Sequence, residues 1–390
     1  MIHLRNYSWV FLAISLLVVS CQNRESQQAT TENSPVSALK NPSQTNSALP
    51  RLFSNGDALF FSWVTSTDSL DHLNYSKFDG EKWQEPETII LGNDWFTNWA
   101  DFPAIAENNG NLLTSFLQKS DSGTYTYDVK LNLLKRSDSS WKKNFKLHSD
   151  TTKSEHGFVS MRSYAGNSFL VTWLDGRETV GKGHGGGAMT LRAALVFEDG
   201  TIDYDTLLDE KVCDCCQTSS AIGPDDEILV AYRDRSDAEI RDISVVKWDK
   251  QIGWGKPLTL GNDDWNIEGC PVNGPSIDSY NSSVAVAWFS GAEDEGKVNV
   301  VFSKEVGSNY GEAIRIDSGN ATGRVDVVLL NESEAAVFWM EPEAEDELIR
   351  VMKVSSEGRK STPITISKTT AERASGFPQM EKLGNTLFFA

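Results

Sequence analysis

The chain has 390 residues, 10% of them aromatic and 23% charged, and a formal charge of -19 at neutral pH. So acidic a balance argues against nucleic acid and against adsorption to anionic lipid, and its plain consequence is a solvated surface. Five cysteines are few for a chain of this length, and their positions therefore carry information.

Arg5 precedes an apolar run from Trp9 to Val19, too short for a permanent bilayer-spanning helix and of the length of a secretory signal. The run ends Val18-Val19-Ser20-Cys21, which resembles the lipobox of bacterial lipoproteins. That resemblance implies cleavage before Cys21 and lipidation of it. It also implies a place in the bacterial cell envelope, on the outer membrane, with the lipid as the only membrane contact. The alternative is an ordinary secreted protein with an incidental cysteine. Residues 22–48 are rich in Ser, Thr, Asn and Gln, contain no aromatic residue, and read as a disordered tether. Residues 49–390 remain for one folded domain.

Six short apolar stretches then end in an aromatic residue: Trp63, Phe116, Trp173, Tyr232, Trp288 and Trp339, spaced 51–59 residues apart. Each stretch alternates or runs as a half-buried strand does, as in Leu59-Phe60-Phe61-Ser62-Trp63 and Val284-Ala285-Val286-Ala287-Trp288. A repeat of about 50 residues built from short strands predicts an all-β fold, a β-propeller with one four-stranded blade per repeat. The six stretches are expected as the second strands of successive blades, near 57–63, 112–117, 168–174, 227–233, 283–289 and 334–340. Residues 385–390 repeat the pattern of residues 57–62, so six repeats and the first half of a seventh are present, and six or seven blades are expected.

The later half of each repeat carries a turn and an aromatic, as in Ser76-Lys77-Phe78-Asp79-Gly80-Glu81-Lys82-Trp83 and Ser303-Lys304-Glu305-Val306-Gly307-Ser308-Asn309-Tyr310. Ser140-Trp141 and Gly253-Trp254 are weaker copies. These turns resemble degenerate Asp-boxes, and across residues 50–390 the chain resembles the sialidase-like propeller superfamily. The resemblance implies a monomeric propeller acting on acidic glycans, an exo-sialidase-like hydrolase if an enzyme.

In a four-stranded blade the loop leading into the inner strand and the loop after the second strand lie on one face. Sorting residues onto those loops places the unusual chemistry of repeats three to five at one channel mouth. The lead-in loops carry Asp101, Glu155, His156, Cys213, Cys215, Cys216 and Cys270. The other set carries Asp175, Arg177, Glu178, His184, Asp234, Arg235, Glu239 and Arg241. Arg177, Arg233, Arg235 and Arg241 form a candidate clamp for a carboxylate of a glycan or other anionic small ligand, with Glu178, His156 and His184 beside it. By the sialidase resemblance, Asp175 or Asp234 would be the acid/base and Tyr232 the tyrosine of the nucleophile pair. The structural alternative is a network of Arg–Asp pairs bracing the loops, with Tyr232 in the core.

Cys213-Asp214-Cys215-Cys216 precedes the inner strand of one repeat, and Cys270 holds nearly the same register one repeat later. Neighbouring lead-in loops are close in space, so a disulfide from Cys270 to one of the three is expected in an oxidising compartment. The competing reading is a copper or zinc site built from the thiolates with His156 or His184. On that reading the protein is a non-catalytic propeller organised by its cysteines. The glycine stretch 181–187 is no phosphate loop, because no Lys-Ser/Thr and no helix follow it.

Overall fold

The aromatic-ended stretches become second strands because their nearly unbroken apolar runs let them bury both faces between neighbouring blades. A computed structural model of the chain describes residues 36–43, 46–182 and 187–390. The signal segment, Cys21 and His184 lie outside the described residues. Residues Asn41–Ala390 form one compact unit, and residues 36–40 belong to another. No helix among the described residues is long and apolar enough to cross a membrane.

The second strands are Leu59–Ser66, Asn111–Lys119, Ser168–Asp175, Ile228–Arg233, Ser283–Ser290 and Glu334–Glu343, close to the predicted spans. Each is the second member of an antiparallel sheet, and six such blades make a propeller. In the fourth blade two short strands, Gly253–Trp254 and Leu258–Leu260, share the outer position against Ile243–Asp249.

The half repeat closes the ring. Its hairpin, Met380–Leu383 with Thr386–Phe389, packs its inner strand against Gly323–Asn331 of the sixth blade and Ser47–Ser54 of the first. The Met380 amide donates to Asp326 at 2.9 Å and Lys382 to the Leu330 carbonyl at 3.0 Å. On the other side Arg51 donates to Gln379, and Phe388 packs on Phe78 with ring centroids 5.5 Å apart. Seven inner strands thus surround the axis, six in four-stranded blades and the seventh in this two-stranded unit.

Trp63, Phe116, Trp173, Tyr232, Trp288 and Trp339 are all buried. A buried indole needs an acceptor for its N–H. Trp173 finds Asp175 at 3.0 Å, Trp288 finds Asp263 at 2.7 Å and Trp339 finds Glu341 at 2.8 Å. The inner strands enclose a narrow channel cavity of about 60 Å³ whose lining includes Arg51, Arg162, Asp278, Asp326 and Glu381. Burial pushes the Glu381 carboxyl up to about 8 and raises Asp278 and Asp326 as well.

Candidate functional site

Strand pairing brings the two loop sets together at one rim. His156, first residue of the inner strand of blade three, pairs with Asp175 at the end of its second strand. Val212 bridges to Asp234, and the Cys213 amide donates to the Arg233 carbonyl at 3.0 Å. The lead-in loop of blade four therefore lies against the end of that blade's own second strand.

Arg233, Arg235 and Arg241 are linked in blade four while Arg177 stays with the acids of blade three, and all four forks are taken by the protein itself. Arg177 holds Asp175 in a bidentate pair, with nitrogen–oxygen distances of 2.7 and 2.6 Å. Against the opposing effect of burial, the Arg177 hydrogen bonds, the charge of a protonated His156 and the Trp173 N–H hold Asp175 ionised, down to about 2. A carboxyl held so low is a poor proton donor near neutral pH, so Asp175 acts as a brace rather than as a general acid. Arg235 and Arg241 both bind Glu239, at 2.9 and 2.8 Å, and Arg235 also reaches Asp214 at 3.0 Å. Arg233 is 1% exposed and gives its N–H groups to three backbone carbonyls: Asn273 at 3.0 and 2.8 Å, Arg241 at 2.6 Å and Phe289 at 2.6 Å. Its guanidinium lies over the Trp265 ring at 4.8 Å. Arg233 thus ties blade four to the loops of blade five.

Asp234 accepts from Ser244 at 2.9 Å, and burial raises its carboxyl. Tyr232 sits in the apolar core with Leu174 and Val212 and donates to Asp209 at 2.5 Å, which makes it a packing residue. A Tyr/Glu pair does occur elsewhere on the rim, where the Tyr127 hydroxyl lies 2.6 Å from Glu155 and 3.3 Å from Asp101. Burial pushes Glu155 up to about 8 and Asp101 to about 7. Tyr127 itself is 1% exposed, sealed from any substrate in this conformation. Glu178 is exposed, lies 3.8 Å from Lys182, and lines a cavity of about 620 Å³ with Arg235, Glu239, Glu210 and Lys211.

The cysteines cluster as their register predicts, but no disulfide is formed. All four are free thiols. The sulfurs of Cys213 and Cys216 are 3.4 Å apart, well beyond the roughly 2.05 Å of a bond. The sulfurs of Cys213, Cys215 and Cys216 lie within 4.8 Å of one another, and Cys270 from the next lead-in loop is within hydrogen-bonding reach of Cys215. Hydrogen bonds from Cys215 and Cys216, with the charge of Arg233, hold the Cys213 thiol well below its ordinary range. Arg241 donates to the Cys213 sulfur at 3.4 Å. The disulfide from Cys270 expected from register and an oxidising compartment is not formed, and the thiols instead cluster with Arg241 donating to Cys213 and the charge of Arg233 favouring its ionised form.

Sequence reasoning did not single out Trp265 or His148. Glu239 was placed on the same loop as Arg235 and Arg241, but its role as the partner of both is seen only in the structure.

No protein-family model matches the sequence, and no curated protein matches it. Among solved structures the chain is similar to a polysaccharide lyase described as a PL25 ulvan lyase bound to a GlcA(1-4)Rha3S unit. The TM-score is 0.52 at 11% identity over 86% of both chains. This likeness shows the fold, a β-propeller of four-stranded blades. A second similar structure is the polysaccharide lyase Uly1, with a TM-score of 0.50 and 9% identity over 93% of this chain and 90% of that one. The NanB sialidase of Streptococcus pneumoniae gives a TM-score of 0.42 and 13% identity over 88% of this chain and 65% of that one. Identities this low establish the fold alone.

Proposed function

We propose that this chain is an exported propeller that binds a soft metal ion, copper(I) or zinc, in a thiolate centre at the rim between blades four and five. The observation that carries this reading is the convergence within 4.8 Å of three cysteine sulfurs, two of them on buried residues and that of Cys215 on a half-buried one, with Cys270 beside them from the next blade. Thiolates select copper(I) and zinc over harder ions. Ligand thiols must give up their protons on binding. Three thiolates around a monovalent ion leave two negative charges, and Arg233 and Arg241 supply two positive ones at the same place. Arg233 and Arg241 then serve the sulfurs, while Arg177 and Arg235 are held by carboxylates of the protein. Lipidation at Cys21 would hold this centre on the outer membrane.

The experiment is titration of the reduced full-length protein with copper(I) against a chromogenic chelator, and with zinc, followed by metal analysis of the desalted protein. About one copper per chain is expected, with affinity falling more than about tenfold in Cys215→Ser, since metal affinity follows the count of thiolate ligands. No copper bound, or equal binding by Cys215→Ser, contradicts the proposal.

A second reading is favoured by the cavity of about 620 Å³ beside the centre, where Arg235, Lys182 and Lys211 offer cationic groups to an acidic sugar. On this reading the rim binds an acidic, sialic-acid-like glycan and hydrolyses it, as the fold's glycan-active neighbours encourage. It requires Arg235 to exchange Glu239 for the ligand. Release of the fluorophore from a fluorogenic sialoside by pure protein, abolished in Arg235→Ala, would support it; no release and no binding of sialic acid or a uronate oligosaccharide would remove it.

A further inference from the structure

Blades two and three hold a second group of metal-binding side chains that shares nothing with the thiolates. His148 follows the outer strand Lys142–Lys146, His156 opens the strand His156–Tyr164, and Asp128 lies on Tyr127–Leu134. The ligating atoms of Asp128, His148 and His156 lie within 4.8 Å of one another, and so do those of Asp150, His156 and Asp175. The two sets meet at His156.

Two features of this cluster call for a cation. The first is His148, which is 3% exposed and has no hydrogen-bond partner on either ring nitrogen. A buried imidazole without a partner loses the hydration of two polar atoms, at a cost protein interiors normally avoid. The Asp128 carboxylate lies 3.5 Å from Nε2. The second is the tautomer of His156. Its Nδ1 lies 3.2 Å from the Tyr127 carbonyl, which can only accept, so Nδ1 carries the hydrogen. In the neutral ring Nε2 then presents a lone pair to Asp150 at 3.0 Å and to Asp175 at 3.6 Å. Arg177 already neutralises Asp175, so the contact left to be balanced is that of the Nε2 lone pair with the Asp150 carboxylate, which either a second ring proton or a bound cation relieves. The rings of His148 and His156 stack 3.8 Å apart and 10° from parallel, and since no hydrogen bond fixes His148, it can turn out of the stack toward a shared ion.

We infer that His148, His156 and Asp128 bind a divalent transition cation of the zinc type, with Asp150 and Asp175 setting the orientation and charge around His156. Two imidazoles and a carboxylate form a nitrogen–oxygen donor set suited to Zn(II), Co(II) or Ni(II) rather than to copper(I). The second layer is in place, because Arg177 fixes Asp175, Thr152 fixes Asp150 and the Tyr127 carbonyl fixes the His156 ring. The Asp128 carboxylate is 14% exposed, which gives an ion a way in from solvent. This site does not depend on the thiolate reading.

Cobalt(II) separates the two centres, because thiolate ligation gives an intense near-ultraviolet charge-transfer band and nitrogen–oxygen ligation gives only weak visible bands. Full-length protein is titrated with cobalt(II), then with zinc(II) as competitor, alongside His148→Ala and His148→Phe. His148→Phe keeps a ring in the stack, so it reports on binding even if the alanine variant fails to fold. The expected result is a weak visible band without sulfur character, saturating at one equivalent, displaced by zinc, and lost in His148→Phe while any near-ultraviolet band is unchanged. Absence of that band in the wild-type protein overturns the inference. Persistence of the band in His148→Phe overturns it equally.

Discussion

Replacing Arg233 by methionine distinguishes an arginine that braces the rim from one that waits for a ligand. The guanidinium is buried, has no carboxylate partner, and donates to the carbonyls of Asn273, Arg241 and Phe289. Methionine fills much of the volume and donates nothing. Three buried carbonyls then lose a charged donor, at about 1 kcal/mol each as a lower bound. The contact with Trp265 adds about 1 kcal/mol. The expected loss is about 4 kcal/mol, a large part of a domain's stability. Urea unfolding followed by tryptophan fluorescence reads it as a lower midpoint at unchanged slope. The same variant should bind copper(I) more weakly, because one of the two charges beside Cys213 is gone. An Arg233→Met protein that unfolds within about 1 kcal/mol of wild type yet loses binding of sialic acid refutes this reasoning and restores the carboxylate clamp.

Three further outcomes are expected. The Glu381 carboxyl titrates near 8 in the folded channel against 4.5 in the unfolded chain, so between those values the folded state binds more protons and stability falls as pH rises. Glu381→Gln should flatten that slope and stabilise the protein by about 2 kcal/mol at pH 9, after allowance for water in the channel; equal stability profiles for the two proteins contradict the buried-carboxyl account. Asp175, held at about 2 by Arg177 and Trp173, contributes stability that is present above the unfolded pKa near 3.8 and lost as pH falls through 2. Asp175→Asn should therefore cost about 2 kcal/mol at pH 7 and little near pH 2, measured by denaturant titration at both values, and an unchanged midpoint at pH 7 counts against the bidentate pair. Cys21→Ser should abolish labelling by a lipid precursor and move the protein into the soluble fraction, and retained membrane association would show that Val18-Val19-Ser20-Cys21 is not a lipobox.

The blades were legible because their signal is local and repeated. The near-continuous apolar run ending in Trp63, Trp173, Trp288 or Trp339 reflects a strand buried on both faces rather than the half-buried strand expected from alternation, and its spacing survives even where Tyr232 or Phe116 replaces the tryptophan. Residues 385–390 gave the hairpin as well, but ring closure depends on Asp326, Arg51 and Phe78, far away in sequence. At the site, loop sorting placed Cys213 and Cys270 at one rim because register carries over between neighbouring blades. It said nothing of side-chain partners. Whether Arg235 and Arg241 open to solvent or close on Glu239 depends on loop geometry, and so does the burial of Tyr127 against Glu155. His148 gave no signal, since a histidine just past an outer strand reads as surface until the neighbouring blade covers it.

X-ray absorption of the copper(I)-loaded, reduced full-length protein tests the central claim most directly. A first shell of three or four sulfur atoms, falling by one in Cys215→Ser, is the predicted result. A shell of nitrogen and oxygen alone, or a protein that takes up no copper, would contradict a thiolate centre at the propeller rim.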